Sequence, residues 1–148
     1  MLQRIRVYMS FVRIGHSVFA LPFALAGALL ALQREKGPYP VFETFSEKGV
    51  RPLFWIVAAM VAARSAAMGF NRLADARHDA LNPRTANREL PRGVMTKREA
   101  ALFVAVSSAA FGFTAWEINT LCFLLSPVAL AIVFWYSLAK RYTTWTQL

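Results

Sequence analysis

Long apolar runs separated by short polar segments set the pattern of this chain. The runs extend roughly over Ile14 to Gln33, Leu53 to Phe70, Ala100 to Trp116 and Leu121 to Ala139, each near the ~20 residues a helix needs to cross the hydrocarbon of a bilayer. No segment alternates apolar and polar residues with the period of two that a membrane barrel requires, and helices satisfy their own backbone polar groups in lipid. The pattern therefore predicts an all-α fold: a polytopic membrane bundle of four antiparallel transmembrane helices.

The polar segments have their own signals. Met1 to Arg13 is a basic amphipathic lead-in suited to the headgroup surface. In the first run, Pro22 with Ala24, Ala26, Gly27 and Ala28 favours close helix packing and a kink. Gly37, Pro38, Pro40, Gly49 and Pro52 make the stretch from Arg34 to Pro52 a loop by composition, and Pro83, Pro91 and Gly93 punctuate a basic loop after the second run. Thr96-Lys97-Arg98-Glu99 matches a capping box opening the third helix. Glu117 and Asn119 mark a short turn before the fourth.

Composition agrees with a membrane protein: 57% of the 148 residues are hydrophobic, too many for an ordinary soluble domain. The first run is too long for a cleavable signal peptide and lacks a small-x-small site, so it is expected to stay as an anchor. The net charge of +9 follows the membrane. With a cytoplasmic N-terminus, the inner segments carry Arg4, Arg6, Arg13, Arg72, Arg77, Arg84, Arg88, Arg92, Lys97, Arg98, Lys140 and Arg141. Arg34, Lys36, Lys48 and Arg51 lie opposite, nearly balanced by Glu35, Glu43 and Glu47. The positive-inside rule places both termini and the segment from Asn71 to Lys97 in the cytoplasm. No basic stripe with interleaved aromatics is left over for nucleic acid. Cys122 is the single cysteine, with only His16 and His78 as imidazoles, so neither a disulfide nor a zinc cluster is expected. Cys122 reads as a small packing residue.

Candidate chemistry concentrates where the second run meets water. Asn71, Asp75 and Asp79 recur at four-residue steps, which stack an amide and two carboxylates on one helical face. Such oxygen donors suit Mg²⁺ carrying a diphosphate, whose departure requires its growing charge to be neutralised. Arg64 lies seven residues before Asn71, near the same stripe. A guanidinium inside a span costs about 3 kcal/mol unless it faces a polar cavity or snorkels. Arg72, Arg77, Arg84 and Arg88 are close enough in sequence to bind phosphate through their planar forks. The same alternation of Arg and Asp also fits a solvated face of i,i+4 salt bridges, and spacing leaves both readings open. An EF-hand loop does not fit, because the glycine and closing glutamate it needs are missing. His78 reads as a surface residue.

The segment from Arg64 through Asn71-Arg72-Leu73-Ala74-Asp75-Ala76-Arg77-His78-Asp79, followed by Asn82-Pro83-Arg84-Thr85 and Arg88-Glu89-Leu90-Pro91, resembles the UbiA superfamily of membrane aromatic prenyltransferases. Arg13-Ile14-Gly15-His16-Ser17-Val18-Phe19-Ala20-Leu21-Pro22-Phe23 and Tyr136-Ser137-Leu138-Ala139-Lys140-Arg141-Tyr142-Thr143 are similar to stretches of its bacterial quinone-pathway members. The resemblance implies transfer of a polyprenyl group from its diphosphate to a ring carbon of an aromatic quinone precursor such as 4-hydroxybenzoate, in ubiquinone or menaquinone biosynthesis. It implies Mg²⁺ as cofactor, held by Asn71, Asp75 and Asp79, with Asp75, Asp79 and Tyr136 in catalytic positions. Arg13, Arg64, Asn71, Arg72, Arg88 and Lys140 would bind the diphosphate. Arg13 and Lys140 could also be interfacial snorkels, and Tyr136 an aromatic-belt residue.

The family extends over about twice this length, with nine transmembrane helices and a second aspartate-rich motif, whereas no Asp follows Asp79 here. The chain is therefore expected to be the N-terminal part of such an enzyme, half of the nine-helix fold, missing its C-terminal half and inactive by itself. A non-catalytic four-helix membrane module or subunit is the rival reading. A small transporter is weakened by having Arg64 as its only ionisable group deep in a span.

Overall fold

The structure, a computed structural model, describes residues 2–12, 21–22, 25–27 and 47–139. It contains α1 (Leu2–Val12), α2 (Glu47–Leu81), α3 (Lys97–Ile118) and α4 (Thr120–Ala139). Among the described residues, three helical stretches are long and apolar enough to cross a membrane: Arg51–Leu81, Lys97–Ile118 and Thr120–Ala139. The predicted first span falls almost entirely outside the described residues, as do Arg13 and Lys140.

One boundary differs from expectation. The segment ending at Pro52 reads as loop, yet α2 begins at Glu47 and carries Pro52 within it. As the sixth residue of the helix, Pro52 forgoes the backbone bond to the carbonyl four residues back, and the helix continues through it. At its other end α2 runs past the apolar stretch to Leu81. Asn71, Asp75 and Asp79 thus sit on the same rigid rod as the membrane-crossing residues.

The helix ends follow local chemistry. Thr96 caps α3 in extended conformation (φ −78°, ψ 154°), its hydroxyl accepting from Glu99 N at 3.2 Å while the Glu99 carboxylate accepts from Thr96 N at 2.8 Å. Asn119 serves two helices: its N–H donates to the Ala115 carbonyl, closing α3, and its side chain accepts from Cys122 N at 2.7 Å, opening α4. A single residue therefore makes the turn. Arg51 bridges to Glu117 at 3.1 Å, joining α2 to α3 at that end.

Helix α2 packs most extensively against α3, and Gly69 permits their closest approach. A Cβ there would lie 2.9 Å from Val104 Cγ2, 3.3 Å from Phe103 Cδ1 and 3.4 Å from Phe11 Cε1. Phe11, at the end of α1, is fully buried. It meets Phe103 edge-on at 5.8 Å, while Tyr8 stacks on the same ring at 5.6 Å. With Val12, Met95 and Ala100 this forms a small core where α1, α2, α3 and the 82–95 loop meet. The lead-in is thus a helix whose end, Phe11 and Val12, is buried against protein while Met9 and Ser10 stay exposed.

Helix α4 is held to α2 by a Phe70–Phe134 stack at 4.3 Å, and otherwise exposes Leu121, Leu124, Leu125, Val128, Ile132 and Trp135. An apolar surface of that extent suits lipid or further protein rather than water. The buried hydroxyls of Thr114, Ser126 and Ser137 donate to carbonyls three or four residues back in their own helices, which allows polar residues in apolar surroundings.

Candidate diphosphate site

The buried stripe of α2 runs through Ala66, Gly69, Arg72, Ala76 and Asp79, spacings of three and four that keep one face against the bundle. Asp79 and Arg72 therefore face inward, toward α1 and the 82–95 loop. Asn71 and Asp75 are half-buried beside them, whereas Arg77 and His78 are exposed.

The loop after α2 is folded tightly. The Asn82 carbonyl accepts from Thr85 N and Ala86 N, both at 2.9 Å, and the Asn82 side chain accepts from Arg84 N at 3.0 Å. Thr85 Oγ1 donates back to the Asp79 carbonyl at 3.0 Å. Further along, the Glu89 carbonyl accepts from Val94 N and Met95 N, a turn made possible by Gly93 at φ +69°. Glycine occupies that left-handed conformation without the clash a Cβ would bring.

This folding presses two neighbouring loop residues of opposite charge onto two residues of α2. Arg88 Nη1 donates to both oxygens of Asp79, at 2.9 and 2.7 Å. Glu89 forms an ion pair with Arg72 and accepts from Ser10 Oγ of α1 at 2.6 Å. Arg72 also donates to the Ser10 carbonyl at 3.4 Å and lies 5.5 Å over the Phe11 ring. Both pairs are shielded from water, the Arg72 and Glu89 side chains being 7% and 14% exposed and those of Arg88 and Asp79 30% and 10%. The space between them, walled by Phe11, Leu90 and Pro91, is too tight for a water molecule.

Of the residues singled out from the sequence, the structure brings Arg72, Asp79 and Arg88 together in this cluster, with Asn71 and Asp75 flanking it on α2. Arg64 is half-buried higher on the same helix, and its Nε has no hydrogen-bond partner among the described residues. Tyr136 is 56% exposed. It follows Phe134, which faces α2, by two residues, so it points away from that contact at about 100° per residue. Glu89 and Ser10 received no role from the sequence. The available signal was that Glu89 is the one acid in a loop otherwise charged by Arg84, Arg88 and Arg92.

The donor chemistry fits a hard divalent cation. Among the described residues no three acidic, histidine or cysteine side chains converge, but Mg²⁺ needs only one or two carboxylates when phosphate oxygens and water complete its shell. Asp79 has both its oxygens on a cationic nitrogen, Arg88 Nη1. A helical membrane protein with an aspartate-bearing helix mouth closed by an arginine loop is the class this fold and site define.

The UbiA prenyltransferase family matches residues 20–148, and the chain belongs to it. It is 44% identical over 100 residues to a 4-hydroxybenzoate octaprenyltransferase from Escherichia fergusonii, covering 64% of this chain and 34% of that protein. The enzyme of the same description from Citrobacter koseri is 41% identical over 97 residues, covering 62% and 33%. Among solved structures, the apo form of a UbiA homolog from Aeropyrum pernix K1 superposes with a TM-score of 0.70 at 41% identity, covering 86% of this chain and 42% of that one. The chain spans about a third of the length of the curated relatives it matches.

Proposed function

We propose that this chain is the N-terminal, diphosphate-binding part of an enzyme that transfers a polyprenyl group from polyprenyl diphosphate to an aromatic quinone precursor such as 4-hydroxybenzoate. The observation that carries this reading is the buried Asp79 carboxylate facing a guanidinium, one turn from Asp75 and two from Asn71 on a membrane helix. Similarity to the two octaprenyltransferases supports the substrate class.

Asp75 and Asp79, with Asn71 beside them, would hold Mg²⁺. When bound, the metal supplies the positive charge that makes the diphosphate a competent leaving group. The chain's own residues do the rest of the positioning. Arg88 and Arg64 offer forked donors to phosphate oxygens, and Arg13 and Lys140 complete the basic surround in this proposal. Arg72, held by Glu89, fixes the loop that carries Arg88. The apolar helices keep water from an allylic cation that it would quench. Tyr136 would act in a cavity completed by the C-terminal half of the enzyme. The site and both termini are assigned to the cytoplasmic face of the inner membrane, as the charge distribution supports.

The test is to express the chain together with the C-terminal portion of a relative and follow labelled prenyl diphosphate into an aromatic product. Transfer should occur and should be lost with Asp75→Ala plus Asp79→Ala; transfer that survives the double substitution would overturn the metal assignment. The alternative, a non-catalytic four-helix membrane module or subunit, predicts instead that the 148 residues fold stably by themselves and recover a defined partner on pull-down.

A further inference from the structure

Arg88 and Glu89 are adjacent, yet their two ion pairs differ in character. Glu89–Arg72 is buried at both ends and reinforced from α1, where Ser10 donates to Glu89 and the Phe11 ring lies under the guanidinium. Asp79–Arg88 is buried mainly at the carboxylate; the arginine is 30% exposed, and both hydrogen bonds leave from Nη1. One pair is shielded at both ends, and the other reaches solvent at its arginine. The position of Nη1, shared between both carboxylate oxygens, is also one that a cation bound to that carboxylate would contest. The closed space beside it cannot take in a hydrated ion while Arg88 stays.

We infer that Arg88 is a surrogate cation on Asp79, exchanged for the metal only when a diphosphate arrives to receive the displaced guanidinium. The inference rests on the proposed metal–diphosphate reading of the site and adds a specificity rule to it. Metal alone must break the Asp79–Arg88 pair without compensation, so its intrinsic affinity is scaled down to the small fraction of molecules in which the pair is open. A metal diphosphate restores the balance: the cation takes the carboxylate, and the guanidinium, still tethered through Glu89 to α1 and α2, gains phosphate oxygens. Arg88 thereby makes the site respond to metal and diphosphate together and resist either one alone.

The test uses the 148-residue chain in lipid nanodiscs with two readouts, binding of Mn²⁺ alone by loss of the free-ion EPR signal and binding of inorganic pyrophosphate in saturating Mg²⁺ by calorimetry. Arg88→Gln should move them in opposite directions: Mn²⁺ alone binds about tenfold tighter, while pyrophosphate with Mg²⁺ binds about tenfold weaker, the scale of one partly buried charge-assisted contact. Arg88→Lys, which keeps the charge and packing, should stay within a fewfold of wild type for Mn²⁺, and thermal melting in nanodiscs confirms that both variants are folded. Loss or indifference in both readouts for folded Arg88→Gln would overturn the exchange. Asp79→Asn tests the underlying reading separately: if it leaves Mn²⁺ and pyrophosphate binding unchanged, the metal site itself is wrong. If Asp79→Asn abolishes binding while Arg88→Gln weakens both ligands, the site stands and only the exchange fails.

Discussion

Removing the Glu89 carboxylate should damage this protein more than any other single change in the 82–95 loop. Glu89→Ala leaves the Arg72 guanidinium, 7% exposed, without its counter-charge, and breaking a buried pair from one side costs about 3–5 kcal/mol. Arg72 has its donation to the Ser10 carbonyl and its place over Phe11 with or without Glu89, so those contacts offset none of the cost. The expected loss is thus about 3–5 kcal/mol. The assay is equilibrium unfolding in mixed micelles, run as a double-mutant cycle with Arg72→Met. Arg72→Met with Glu89→Leu, which removes both charges, should recover most of the loss. A Glu89→Ala cost below about 1 kcal/mol, with coupling near zero, would refute the view that this pair anchors the loop and α1 to the bundle.

Two further outcomes follow from packing and capping. Gly69→Leu should destabilise by more than about 3 kcal/mol, because even a Cβ would meet Val104 at 2.9 Å and a stiff β-branched neighbour yields poorly; Gly69→Ala should lose only about 1 kcal/mol, since the helix-propensity gain offsets part of the overlap, and thermal melts in detergent compare the two. Thr96→Ala should cost about 1 kcal/mol by the same measurement through loss of the cap, whereas Arg51→Ala, whose side chain is 73% exposed, should stay within about 0.5 kcal/mol.

The architecture was legible wherever a residue's role depended on its near neighbours. Apolar run length located α2, α3 and α4, and the Thr96–Glu99 spacing located the cap of α3. The start of α2 was hidden because a proline near a helix start and a proline in a loop look the same along the chain. The packing of the lead-in helix was hidden for a similar reason: an amphipathic segment shows that it has an apolar face but not what covers it, and Phe11 is covered by protein. At the site, the steps from Asn71 to Asp75 to Asp79 could be read directly. The pairing could not, because several arginines are chemically equivalent until the loop folds. Arg72 and Arg88 are both expected to bind phosphate, and the turns around Asn82 and Gly93 decide which carboxylate each meets, Glu89 for Arg72 and Asp79 for Arg88.

Calorimetric titration of inorganic pyrophosphate into the nanodisc-embedded chain, with and without Mg²⁺, tests the metal–diphosphate assignment most directly. The carboxylates should repel the free anion and accept the magnesium complex, so binding should require Mg²⁺ and fall at least about tenfold in Asp75→Asn plus Asp79→Asn, the scale of losing the paired charges that hold the ion. Pyrophosphate binding that ignores both the metal and those two substitutions would contradict the account.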